Sequence, residues 1–334
     1  MKKVIYCSSL FVLAVCLNAC REIVPLKDLG YQPKLVLYCF ATPQYDTIPV
    51  FLSNSQPFFS GAKVIAEVTN AIVEISNDNQ HWIQLHYDRK SKRYLWLQSQ
   101  LPVAEGKTYY IRASAPDYES ISASCTVPFW RKVELTPEIK IPYPHKTDNP
   151  TAVFSILWND YPSEENYYAA VKYYFSEWSY GDEYEKHFEY YWLWNEKERE
   201  CVLSDAGKDG KRMSIISESI YDYVYPFDSA EFLNHYPQYD ATYILFIQTE
   251  KNTCLHENTK DAAEMMEDIF SMIEPTLVYT NVKNGYGVFG AMVFKSYRIS
   301  FRHKTVEEGE LPISNQVETF FKSKTENRKK NNCR

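Results

Sequence analysis

The chain has 334 residues, 45% hydrophobic and 16% aromatic, with a formal net charge of −7. That length suggests about two domains at ~150 residues each, with enough apolar material for real cores. The acidic balance argues against nucleic acid as a partner.

Lys2 and Lys3 open the chain and are followed by an apolar run from Val4 to Leu17, broken only by Ser8 and Ser9. The run is shorter than the roughly 20 residues a spanning helix needs, and it ends in small residues as a signal peptide does. Leu17-Asn18-Ala19-Cys20 resembles the bacterial lipobox, although Asn18 is a less usual occupant of its position. Residues 1–19 are therefore expected to be a lipoprotein signal peptide. By that resemblance Cys20 is the lipid-attachment residue, carrying a thioether-linked diacylglycerol and usually a third, amide-linked chain. Two acyl chains hold a protein stably to a bilayer, so the membrane is the first expected partner. The competing reading is an ordinary secreted protein in which Cys20 is incidental. Residues 20–33, with Pro25, Gly30 and Pro33, read as a polar tether.

Residues 34–128 read as short strands separated by turns at Asn77-Asp78-Asn79, Asp88 to Lys92 and Glu105-Gly106-Lys107. This spacing predicts a β-sandwich. Ile121, Ala123, Cys125 and Val127 alternate with Ser122, Ser124 and Thr126, and Leu35, Leu37 and Cys39 share a face of the first strand. Cys39 and Cys125 can thus enter one core, either as a disulfide or as two buried thiols. With Cys201, Cys254 and Cys333 they form an odd set once Cys7, Cys16 and Cys20 are set aside, so at least one thiol is free or pairs between chains. No CxxC spacing supports zinc or thioredoxin chemistry.

A proline-rich stretch after Pro128 marks the expected boundary. Residues 129–305 read as a second β-rich domain, with strands rich in Tyr, Phe, Val and Ile. Between Thr259 and Ile273 apolar residues fall at helical spacing, with Thr259 as the predicted N-cap. Residues 306–334 form a basic tail expected to be disordered, for which lipid phosphates are the alternative role.

No motif carries chemistry. Gly285-x-Gly287-x-x-Gly290 spells a dinucleotide fingerprint, but a strand, not a helix, is expected after it, and a turn with positive φ explains the glycines. There is no HExxH, no GxSxG and no phosphate-binding loop, so no catalytic residue, metal ligand or cofactor is assigned. Asp160, Glu164, Glu165, Asp182, Glu183, Glu185 and Glu189 read as a solvated acidic face rather than a calcium site. The densest aromatic region runs from Trp158 to Trp194. Most of its rings should be core, while Trp178, Tyr180, Tyr184, Tyr191, Trp192 and Trp194 are candidates for an exposed binding patch.

Several stretches taken together resemble a lipoprotein family, number 4249 among the domains of unknown function, from outer membranes of Bacteroides-like bacteria. They are the lipobox, Leu35–Phe40, Ser60-Gly61-Ala62-Lys63-Val64, Gly106-Lys107-Thr108-Tyr109, Trp158-Asn159-Asp160, Leu203-Ser204-Asp205 and Thr280-Asn281-Val282-Lys283-Asn284-Gly285. The resemblance implies an immunoglobulin-like β-sandwich followed by a β-rich part, and a place beside a TonB-dependent outer-membrane transporter. It implies no catalytic residues. The expected function is a non-catalytic binding or accessory component of nutrient uptake. The alternatives are a surface adhesin or assembly subunit, and an unrecognised hydrolase of surface polymers.

Overall fold

The computed structural model describes residues 32–56, 67–140, 151–180, 183–193, 200–216, 220–221, 241–269 and 277–309. Cys20, the expected signal peptide and nearly all of the expected tether and basic tail lie outside these residues. The architecture is mainly β, with one helix among the described residues.

The first eight strands are β1 (Leu35–Ala41), β2 (Thr47–Asn54), β3 (Ile72–Ser76), β4 (Ile83–Gln84), β5 (His86–Asp88), β6 (Arg93–Leu97), β7 (Thr108–Ser114) and β8 (Ile121–Thr126). One sheet runs β4-β3-β7-β8, and it faces a sheet that contains β1-β2-β6-β5. Together they form the expected sandwich. Period-two alternation builds its core: Leu35, Leu37 and Cys39 come from one side, and Ile121 and Cys125 from the other. Trp96 and Tyr109 meet between the sheets with ring centroids 5.2 Å apart. The predicted turns are where backbone freedom is needed, with Asn79, Lys92 and Gly106 all at positive φ.

The second half adds β9 (Thr136–Lys140), β10 (Thr151–Asn159), β11 (Tyr167–Tyr180), β12 (Glu183–Trp192), β13 (Leu203–Ser204), β14 (Arg212–Ile216), β15 (Ile220–Tyr221), β16 (Ala241–Thr249), α1 (Lys251–Ile269), β17 (Tyr286–Ser300) and β18 (Thr305–Glu308). The longest strand, β17, joins the two halves. Its first part pairs in parallel with β1, from Val36 with Tyr286 to Ala41 with Ala291. Its second part pairs antiparallel with β16, from Thr249 with Met292 to Ala241 with Ser300. The result is a ten-stranded sheet with the main path β12-β11-β16-β17-β1-β2-β6-β5. Phe289, Ala291 and Val293 face the sandwich core, while Val288 and Met292 face a core under α1. Both faces of this segment are buried, which is why Val288–Val293 reads as a continuous apolar run rather than an alternating one.

A further core gathers Phe154, Trp158, Tyr168, Phe246, Ile299 and Phe301. Trp130 packs against this core and against the sandwich core. Just after it, Gln248 clamps the chain: its Oε1 accepts from the Arg131 amide at 2.7 Å and its Nε2 donates to the Arg131 carbonyl at 2.6 Å.

The helix begins eight residues before the predicted start. Glu250, not Thr259, caps it, accepting from the amides of Asn252 and Thr253 at 2.8 and 2.9 Å. The Thr259 hydroxyl instead donates back to the Leu255 carbonyl at 2.7 Å, a bond made inside a helix.

Candidate functional site

β10 ends at Asn159, and the chain turns through Ser163, whose φ is +70°. Asp160 is buried in this turn, contrary to its expected place on a solvated face. Its Oδ1 accepts from the Tyr168 hydroxyl and its Oδ2 from the Gly210 amide, both at 2.8 Å. Opposite lies the Asp205–Gly210 loop. Asp205 accepts from the Asn166 amide at 2.9 Å, and Asp209 from the Ser163 amide at 2.7 Å. Carboxylate oxygens of Asp160, Asp205 and Asp209 lie within 4.8 Å of one another. Burial, and then the charge of Asp160, push the Asp205 carboxyl above its ordinary range, while its bonds from Asn166 pull the other way. Such a trio matches the oxygen chemistry of a hard cation. The hydrogen bonds already placed on it tie two loops together. Asp205 and Asp209 come from a loop some forty residues downstream; the run Asp205-Ala-Gly-Lys-Asp209-Gly was the available signal.

A second feature sits on the sandwich. An open cavity of about 620 Å³ is lined by Glu67, Thr69, His86, Tyr87, Arg89 and Lys92. Lys92 reaches Glu67 at 3.7 Å, and the Tyr87 ring leans on Tyr94 with centroids 5.0 Å apart. The lining mixes cationic groups, one paired carboxylate and an aromatic ring, which equips it for recognition of a polar or anionic group.

The candidate aromatic residues divide along the β11–β12 hairpin. Trp178 and Tyr180 stand opposite Glu185 and Glu183, and Tyr184 opposite Ser179, so these three share the hairpin tip. Tyr191 and Trp192 pair with Lys172 and Val171, about 23 Å back along the strand. Trp194 and Asp182 lie outside the described residues. Of the other acids, Glu164 binds the Arg131 guanidinium, with Nε donating at 2.8 Å, and Glu165 accepts from the Tyr167 hydroxyl at 3.0 Å.

Among the buried polar or thiol side chains are Cys39 and Cys125, whose burial the strand alternation predicted, and Lys172 and His256, which were not singled out from the sequence. Lys172 sits over the Phe154 ring, 4.2 Å from its centroid, and burial lowers its amine to about 8. Cys39 and Cys125 are free thiols within one apolar core, and burial pushes both pKa values far up. His256 on α1 lies in contact with the Tyr279 carbonyl, 2.6 Å from Nδ1, and its Nε2 is buried without a hydrogen-bond partner.

Burial holds the His256 pKa below its ordinary 6.5, although Glu257 and the Tyr279 carbonyl pull it upward. A base whose folded pKa is depressed stabilises the fold above the unfolded value. That stability is lost as pH falls from about 6.5 through the folded value, at no more than about 1.4 kcal/mol per pH unit. Urea unfolding at pH 7.5 and 5.5 should show this loss, and His256→Gln should flatten it. Equal pH dependence in the two proteins would rule the histidine out as its source.

A profile of the family described as Domain of unknown function (DUF4249) matches residues 22–298. The chain belongs to this family. The DUF4249 match begins just after Cys20 and ends within β17, so the sandwich, α1 and the Asp160–Asp205–Asp209 loops all fall inside it. No curated protein matches the chain.

Proposed function

We propose that this DUF4249 protein is a lipid-anchored outer-membrane lipoprotein. It serves, without catalysis, as a binding or accessory component of a TonB-dependent nutrient-uptake system. The observation that carries the reading is Leu17-Asn18-Ala19-Cys20 at the end of a short apolar run led by lysines. No helix among the described residues is long and apolar enough to cross a membrane; in this reading the acyl chains on Cys20 hold the body. The aromatic tip of the β11–β12 hairpin is the surface offered to ligand or transporter.

Cys20→Ala should abolish metabolic labelling with palmitate and release the protein from the membrane fraction. Pull-down of the wild-type protein should recover a β-barrel transporter, and gene deletion should reduce ligand uptake. Uptake and transporter assembly both unchanged in the deletion strain would end the reading. The adhesin alternative draws on β12, the last strand of the described sheet, as an edge for another chain. It predicts recruitment of a surface protein with no effect on uptake.

A further inference from the structure

The turn between β5 and β6 reads Asp88-Arg89-Lys90-Ser91-Lys92-Arg93, a dense run of positive charge on an acidic protein. It is a built turn. The Asp88 carboxylate accepts from the amides of Lys90 and Ser91, at 3.3 and 2.8 Å, and Lys92 adopts φ +58°. The Arg93 guanidinium stacks 4.5 Å from the Phe51 ring centroid, and its Nη1 donates to the Lys92 carbonyl at 2.8 Å. Among the described residues no contact of this kind involves the Arg89 or Lys90 side chain, and both residues are exposed.

Strand register places this turn. Leu35, the first residue of β1, pairs with Asn54 at the end of β2. Val50 of β2 pairs with Tyr94 near the start of β6, and Arg93 pairs with Asp88 at the end of β5. The basic turn therefore shares one end of the sheet with the point where the chain enters from Cys20, about three strand spacings or ~14 Å away. Lys34 and Lys283 belong to the same end, the former with its Nζ 5.8 Å from the Tyr286 ring. Among the described residues the acids there are Glu67, Asp88, Asp117 and Glu119. Glu67 is engaged by Lys92, and Asp88 by the turn's own amides. The rest of the molecule extends the other way: β17 runs on past Ala41 to Ser300, and β11 runs further still to Tyr180. The hairpin tip thus lies on the order of 60 Å from the basic end along the strand direction.

We propose that the Asp88–Arg93 turn, with Lys34 and Lys283 beside it, docks on the phosphate-bearing headgroups of the bilayer that holds the acyl anchor. The sandwich then stands on the membrane and the β11–β12 hairpin points away from it. This orientation rests on the lipoprotein reading above. The anchor keeps the body within reach of the surface, and the fixed charges select which end faces down.

The test uses the processed, acylated protein in vesicles of phosphatidylcholine alone or with about one-third phosphatidylglycerol. Amine labelling is read at each lysine by mass spectrometry. Lys90 and Lys92 should label about five-fold more slowly on the anionic vesicles. Lys107, exposed at the opposite end of the sandwich, should label equally on both. High salt should remove the protection. Arg89→Glu with Lys90→Glu should abolish it at Lys92 without altering the thermal melt. Equal labelling on both vesicles, or protection that appears only when native membrane proteins are added, overturns the proposal. Failure of the anchor reads differently: the protein does not float with phosphatidylcholine vesicles. A body that still floats with anionic vesicles through this turn keeps the docking, and one that floats with neither ends it.

Discussion

Gly287→Ala is expected to abolish cooperative unfolding, leaving a protein with no sigmoidal thermal melt by circular dichroism. Gly287 lies inside β17 at φ +97°, where a side chain is strained. A Cβ there would overlap the Leu37 carbonyl oxygen and sit 2.8 Å from its carbon and 3.0 Å from the Leu37 nitrogen. These are backbone atoms of the paired strand, so no rotamer change relieves the clash; β17 must leave β1. Losing that parallel pairing opens the sandwich core to water. The cost should exceed about 4 kcal/mol, against a total stability of about 5–15 kcal/mol for an ordinary domain. Gly207→Ala is the control. Its φ is +73°, yet nothing lies within 4 Å of the added carbon, so it should cost only about 1 kcal/mol. A native-like melt for Gly287→Ala would refute the close approach of β1 and β17.

Phe246→Ala should cost about 3–5 kcal/mol and lower the melting temperature by on the order of 10 °C. Phe246 is fully buried on β16. Its ring centroid lies 5.1 Å from that of Trp158, 5.7 Å from Tyr168 and 6.4 Å from Trp130. Trp158 and Trp130 meet it edge-on, the geometry favoured by the ring quadrupole, so truncation removes both buried area and these contacts. The near-ultraviolet circular dichroism of the tryptophans should weaken with it. Phe246→Leu should cost much less, since it fills most of the volume. A loss below about 1 kcal/mol for the alanine variant would mean that this core collapses to fill the hole.

Local patterns carried much of the fold. Alternation from Ile121 to Thr126 and the turn at Asp88–Lys92 follow from neighbouring residues, and both read correctly. What depends on distant residues did not show. Nothing near Val36 announces that Tyr286 will lie beside it. Gly285, Gly287 and Gly290 suggested a turn with positive φ, but only Gly287 has it, and Tyr286 already begins the strand. The other two glycines make room for neighbours: a Cβ on Gly285 would lie 2.6 Å from the Leu35 carbonyl oxygen, and one on Gly290 would overlap the Thr253 hydroxyl. The helix start was missed because Lys251-Asn-Thr-Cys is a poor helix-forming run, rescued by Glu250 and by packing on β17. Asp160 looked like one of several local acids until Asp205 and Asp209 arrived from another loop. The basic turn was visible as a turn; its place beside the chain's entry into the sheet required the strand register.

The parallel pairing of residue 36 with residue 286 also orders events in time. A chain made from its amino end onward delivers β1 early and its neighbour β17 about 250 residues later. Until then one flank of β1 offers unsatisfied amides and carbonyls to any passing strand. A chaperone would have a defined target in that interval. Any product truncated before Tyr286 would carry that open flank permanently and invite pairing with a strand of a second copy.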